Sequence, residues 1–377
     1  MFLIGSPRCA VGARRPFARN ELYSYCPDEF LAVDFRKQLV AQELIAYRPD
    51  VACLQVRRPL SGAAPAAAPD PPRRMGPPQE VTQDVFDTWL APLLAAHGFA
   101  GSYTQKTGSS AIGCATFVAA RRWRIAATHA VDLTAEWAEC PDLAALVNGP
   151  SEVAARLKRG LERSTTVAQA MLLESVGEGA PRRLWLLNTH LFGHPDATHV
   201  RLVQVCSLMR KAARLAAKKP AGGPAPGLVL CGDFNSLPDE GVRELLEKGA
   251  VGKEHPDWRR GTRFKPIDNR KDREQAWFDT LEAAAQSFDD LAAEVCGDIA
   301  VPAALVQACR ETSITFCTDQ TQQVVDYIYF SAEALAEDAG AGAFPDFDAA
   351  ALTAEGGLPS RSFPSDHVAL VQDLVWR

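Results

Sequence analysis

Leu230-Cys231-Gly232-Asp233-Phe234-Asn235-Ser236 closes a short apolar run, Gly227-Leu228-Val229-Leu230, and its reading decides the fold. The run reads as a buried strand. At its end a carboxylate and a carboxamide stand two residues apart, which in an extended chain puts both side chains on one side. Enzymes built on α/β sheets carry reactive groups at such carboxyl ends. Taken alone, Gly232-Asp233-Phe234-Asn235 also suits a plain turn, because Gly, Asp and Asn all favour turns.

Other strand ends share the pattern. Leu184-Trp185-Leu186-Leu187-Asn188-Thr189-His190-Leu191 is an apolar run that delivers His190 at its end. Val324-Val325-Asp326-Tyr327-Ile328-Tyr329-Phe330 reads as a strand carrying an acid, and Ser365-Asp366-His367 precedes the apolar Val368-Ala369-Leu370-Val371. A lone histidine beside a strand is usually structural; Asp, Asn and His at several strand ends point to chemistry. These types suit metal-assisted phosphodiester cleavage. That reaction needs carboxylates for a hard cation, a His–Asp pair for protons or developing charge, and an amide for a phosphate oxygen.

In this order the motifs resemble the endonuclease/exonuclease/phosphatase superfamily, typified by deoxyribonuclease I. Tyr25-Cys26-Pro27, Asp34-Phe35-Arg36, Glu43-Leu44 and Asp50-Val51-Ala52-Cys53-Leu54-Gln55 are similar to the opening segment of its 2′,5′-phosphodiesterase and Ccr4-type deadenylase branch. So are Asn188-Thr189-His190-Leu191-Phe192-Gly193-His194-Pro195, Val200-Arg201-Leu202-Val203-Gln204 and the closing Phe363-Pro364-Ser365-Asp366-His367. The resemblance covers residues 18–377 and implies an α/β fold, a deoxyribonuclease I-like sandwich of two β-sheets flanked by helices. Helical patterns at 37–47, 86–97, 200–218 and 240–248 agree with it.

The resemblance further implies a phosphodiesterase that uses Mg²⁺, or Mn²⁺ in its place, and degrades poly(A) or 2′,5′-oligoadenylate to AMP. By position Glu80 and Asp366 hold the metal, and Asp233 orients or deprotonates the attacking water. Asn235 positions that water or a phosphate oxygen. His367, oriented by Asp326, stabilises or protonates at the phosphate, and His190 stabilises the pentavalent phosphorus. His194 and Arg201 contact substrate. A phosphoinositide or sphingolipid phosphodiesterase of the same superfamily is the alternative enzyme. An inactive RNA-binding relative is the alternative from another class.

Two departures stand out. The superfamily's first strand carries an Asn that helps hold the metal, and residues 1–17 offer no matching Asn. With Arg8, Arg14, Arg15 and Arg19 and no acid in the first twenty positions, the segment reads as a transit peptide or as a wrong start site. The domain is therefore placed at 18–377. The metal-binding Glu should also follow Gln55 directly. Instead Val56-Arg57-Arg58 opens a tract of Ala, Pro and Arg that ends at Gln79, just before Glu80. Deleting these 24 residues restores the motif. Every Val codon begins with GT and Gln can be encoded by CAG, so the tract has the ends of a retained intron. Its composition equally suits an unstructured loop.

Composition sets outer bounds. The chain has 377 residues and a hydrophobic fraction of 47%, enough for one large domain. No apolar run reaches the roughly 18–20 residues that span a bilayer. Ten cysteines without a Cys-x-x-Cys pair read as buried thiols of a reducing compartment, so the protein is expected to be intracellular, mitochondrial or cytoplasmic. A net charge of −6 argues against a broad basic nucleic-acid surface but leaves an RNA or oligoadenylate substrate open to local Arg and Lys. The basic stretch Met209 to Lys219 reads as a solvated helix face. No obligate protein partner is evident.

Overall fold

The computed structural model describes residues 2–5, 23–55, 82–108, 112–178, 180–218, 225–264, 297–310, 312, 314–338 and 349–377. Its main strands are β1 (Phe2–Gly5), β2 (Val51–Gln55), β3 (Phe99–Gln105), β4 (Gly113–Ala119), β5 (Trp123–Asp132) and β6 (Val167–Ser175). They continue with β7 (Arg183–His190), β8 (Gly227–Asp233), β9 (Val306–Ala308), β10 (Asp326–Phe330) and β11 (Leu370–Gln372). One sheet has the order β11-β1-β2-β4-β3 and the other β9-β10-β8-β7-β6-β5. Each is antiparallel except for one pair, β1 with β2 and β7 with β8.

Side-chain alternation makes this a sandwich. On β2, Val51 and Cys53 join Leu184 and Leu186 of β7, Val229 and Cys231 of β8 and Ile328 of β10 between the sheets. The intervening Ala52 and Leu54 face the other way, against Val40 and Leu44 of helix α1 (Val33–Tyr47). On the far side, Trp185, Leu187 and Leu230 pack on helices α2 (Glu152–Arg163) and α3 (Thr198–Ala217). With both faces covered, these strands are continuous apolar runs.

Local chemistry explains the helix ends. Ser151 caps α2 by accepting the N–H of Ala154. Helix α4 (Gly241–Lys248) stops at Gly249, which takes the left-handed conformation at φ 83°. A short helix α5 (Pro256–Gly261) packs against α3. The basic stretch of α3 is engaged by the protein itself, since Arg210 pairs with Asp142, and Lys211 and Arg214 pair with Glu136. The eight described cysteines are buried and none of them is in a disulfide. No helix among the described residues is long and apolar enough to cross a membrane.

The N-terminus departs from expectation. Phe2–Gly5 pairs parallel with β2 and antiparallel with β11, so these residues belong to the sheet although the sequence placed the domain's start at 18. The run Phe2-Leu3-Ile4 has strand character, and its position between two partners supplies the hydrogen bonds that a four-residue segment lacks alone. Residues 56–79 and Glu80 lie outside the described residues. Beside them the β2–β4 ladder reaches Gln55↔Cys114, and Thr82 forms an isolated bridge with Ile112, the residue just before β4.

Candidate active site

Register builds the site. His190, the last residue of β7, pairs with Asp233, the last of β8, and Asp233 pairs in turn with Asp326, the first of β10. All three lie an even number of positions from residues in the inter-sheet core, so their side chains point into the cleft between the sheets. The parallel β7–β8 pair ends both strands at the same edge. The antiparallel β10 begins there. Segments far apart in sequence thus place three polar groups in one row.

Each carboxylate has a histidine. His190 Nε2 lies 3.4 Å from Asp233 Oδ2, and His367 Nδ1 lies 2.5 Å from Asp326 Oδ2. Thr315 Oγ1 accepts the N–H groups of Val325 and Asp326 and fixes the start of β10. Ser365 Oγ accepts the N–H of His367, and the Phe316 ring lies 4.9 Å from the imidazole. Asp233, Asp326 and His367 bring one ligand atom each within 4.8 Å of one another, a grouping able to hold a metal ion. Their donors are two carboxylates and an imidazole, which suits a divalent cation.

Asn235 sits just beyond, at φ 48°. Its N–H donates to Asp233 Oδ1, and its Nδ2 donates to the carbonyl of Leu191. The side-chain amide is thereby oriented, with Oδ1 beside Gly193, where a Cβ would come to 3.3 Å. The turn depends on Gly232. At φ +138° it brings its backbone so close to β7 that a Cβ would lie 1.9 Å from the Thr189 carbonyl. Asp366, next to His367 in sequence, is buried, and the Tyr23 hydroxyl donates to its Oδ2 at 3.0 Å.

Sequence reasoning missed the polar layer beneath these groups. Gln55 Nε2 donates to Asn188 Oδ1 at 2.6 Å, and Asn188 Nδ2 donates to Thr116 Oγ1 and the Ala115 carbonyl. This network ties the two sheets together one step below His190. Its signal was a polar residue at an inward position of an otherwise apolar strand. Tyr23 and Thr315 carried no such signal.

The two substrate-contact candidates fare differently. His194 is half-buried between the rings of Phe192 and Phe264. Burial, with the Arg201 charge adding to it, lowers its pKa to about 4, so its imidazole is neutral. Arg201 is 1% exposed and pairs with Glu240, which removes it from direct contact with a ligand. Its Arg-Leu-Val-Gln context placed it near the site but could not show which way the guanidinium turns.

Two mixed sheets, packed face to face under helices with paired Asp and His at one mouth of the cleft, define a deoxyribonuclease I-like α/β sandwich. The chain belongs to the endonuclease/exonuclease/phosphatase family, whose pattern matches residues 18–367. It is 27% identical over 366 residues to 2′,5′-phosphodiesterase 12 of Rattus norvegicus, covering 97% of this chain and 50% of that protein. It is 26% identical over 367 residues to carbon catabolite repressor protein 4 homolog 1 of Arabidopsis thaliana, covering 95% and 55%. The chain therefore spans about half the length of the curated relatives it matches. The crystal structure of ANGEL2, a 2′,3′-cyclic phosphatase, in complex with adenosine-2′,3′-vanadate superposes with a TM-score of 0.67 at 19% identity. That alignment covers 99% of this chain and 94% of the other, and it speaks to fold.

Proposed function

We propose that the protein is a divalent-metal-dependent phosphodiesterase acting on RNA ends, either poly(A) or 2′,5′-linked oligoadenylate, with release of AMP. The observation that carries this reading is the row His190, Asp233, Asp326, with His367 bound to the last. The names of the relatives, a 2′,5′-phosphodiesterase and a homologue of carbon catabolite repressor protein 4, support the substrate class.

In this reading Asp233 orients or deprotonates the attacking water, and Asn235, its amide already oriented by Leu191, positions that water or a phosphate oxygen. His367, held by Asp326, stabilises or protonates at the phosphate, and His190 offsets charge on the pentavalent phosphorus. Asp366, with Glu80, would hold Mg²⁺ or Mn²⁺. The Asp366 carboxylate is buried and adjoins His367 in sequence, and a carboxylate suits a hard cation. When bound, such an ion supplies positive charge to a phosphate oxygen. The buried thiols favour an intracellular compartment, mitochondrial or cytoplasmic, which fractionation of the native protein would decide.

The test is hydrolysis of 2′,5′- and 3′,5′-linked oligoadenylate, followed as AMP release, with Mg²⁺, with Mn²⁺ and with excess EDTA. Turnover with either ion and loss in EDTA is expected. Undiminished turnover in EDTA removes the metal. Cleavage confined to a phosphoinositide head group replaces the substrate, and oligoadenylate binding without any cleavage marks an inactive relative.

A further inference from the structure

Arg201 and Gln204 stand one turn apart on α3 and face the same loop. Arg201 Nη1 donates to the carbonyls of Phe192, at 3.3 Å, and His194, at 2.7 Å. Its Nη2 donates to the carbonyl of Pro195 at 3.3 Å and to Glu240 Oε2 at 3.0 Å. Gln204 Oε1 accepts the N–H of Phe192 at 3.1 Å, and its Nε2 donates to Ser164 Oγ. Side chains of α3 thus hold both the donors and the acceptors of the segment that follows β7.

Glu240 extends the grip to a second loop. Its Oε2 also accepts the N–H of Leu237, in the segment that leaves β8 after Asn235, and its Oε1 accepts from Arg260. Arg201 and Gln204 are fully buried and Glu240 nearly so. A buried ion pair contributes little net stability against apolar residues of the same volume, because both charges lose water. It does impose direction, since the planar guanidinium fork accepts few arrangements of its partners. Here those partners are the two loops that flank the catalytic row.

We propose that Arg201, with Glu240 and Gln204, is a positioning clamp that holds the loops after β7 and β8 in one mutual register and so sets where His194 stands relative to Asn235. The proposal rests on the reading that these loops line the reaction cleft. One consequence is chemical. The N–H of Asp196 donates to His194 Nδ1 at 3.2 Å, so a neutral ring carries its proton on Nε2. The clamp fixes the backbone on both sides of that contact and with it the tautomer that His194 presents.

The experiment compares Arg201→Met, Arg201→Lys and Glu240→Gln with the parent by oligoadenylate turnover and by long-range ¹H–¹⁵N spectra of His194 in the free protein. In folded Arg201→Met we expect kcat to fall by about 10²-fold with a smaller change in KM, the scale of a displaced catalytic geometry. Arg201→Lys should recover only part of it, because an ammonium cannot reproduce the fork. The single Nε2–H pattern of His194 should give way to a mixture of tautomers. Glu240→Gln keeps an acceptor for Leu237 and should show the same changes more weakly. Parental kcat and a parental His194 spectrum in folded Arg201→Met would overturn the clamp. Should Arg201→Met fail to fold, the same two parental readings in Glu240→Gln overturn it. If the parent cleaves no oligoadenylate, the functional reading fails, and the His194 spectra still decide the clamp.

Discussion

Asp233 and Asp326 are register partners on adjacent strands, both buried, and each carboxylate is matched to its own histidine, His190 for the first and His367 for the second. Like charges directly opposite one another in a ladder are destabilising. In the proposed function this pair is catalytic, which accounts for its place at the mouth of the cleft. Removing either partner of the Asp326–His367 pair should therefore cost function more than stability. Asp326→Asn and His367→Ala, and likewise Asp233→Asn, are each expected to lower kcat on oligoadenylate by about 10²-fold or more with the circular dichroism of the parent. Parental turnover in any of the three would remove that residue's role.

The turn that delivers Asp233 makes a sharper demand on one residue. Gly232→Ala must put a methyl group 1.9 Å from the Thr189 carbonyl while holding φ near +138°. Strain and overpacking together should cost roughly 2–5 kcal/mol in urea unfolding. An alanine variant as stable as the parent would mean that β7 and β8 lie further apart than described.

The tract between Gln55 and Glu80 is expected to be dispensable for folding. β2 leaves the β4 ladder at Cys114, and Thr82 bridges Ile112, the residue just before β4, so a chain joined directly after Gln55 has only a short gap to span. Closing a loop of this length costs about 3 kcal/mol, and deletion should raise the denaturation midpoint accordingly. A deletion variant that does not fold would show that the tract is structural. Recovery of residues 57–73 in a peptide map of the native protein would rule out an intronic origin.

Acid stability should report on His199, which is fully buried on α3. Burial, then the charges of Arg201 and Arg156, lower its pKa to about 3, against an ordinary value near 6.5. The unfolded chain takes up this proton and the folded one does not. Stability is thus intact above pH 6.5 and declines as the pH falls towards 4, by about 1.4 kcal/mol per unit for one such group. His199→Gln should flatten the dependence by that amount in this window, measured by urea unfolding at several pH values. Equal slopes in parent and variant would place the proton elsewhere.

Much of this was legible in the chain. Leu184–Leu187 and Leu228–Leu230 announced buried strands, and Asp233, Asn235 and His190 announced what those strands deliver. The sheet order was not legible, because strands buried on both faces lose the alternation that would reveal their partners. Nor was Phe2–Gly5, whose four residues become a strand only between β2 and β11. The side chain of Arg201 was misjudged for a different reason. An arginine in a site motif reads as a substrate contact until the position of Glu240, 39 residues away, is known.

The parallel pairing of β7 and β8 also determines where foreign material can be attached. Both strands exit at the cleft, so Ala225 and Pro226, which lead into β8, stand at the opposite end of a strand of seven residues, about 20 Å away. A dye, a surface tether or a second protein grafted there would leave the cleft open to a polymer. Immobilising the protein through Ala225, and comparing its turnover in the proposed reaction with that of the free form, would turn a rule of strand direction into a practical handle.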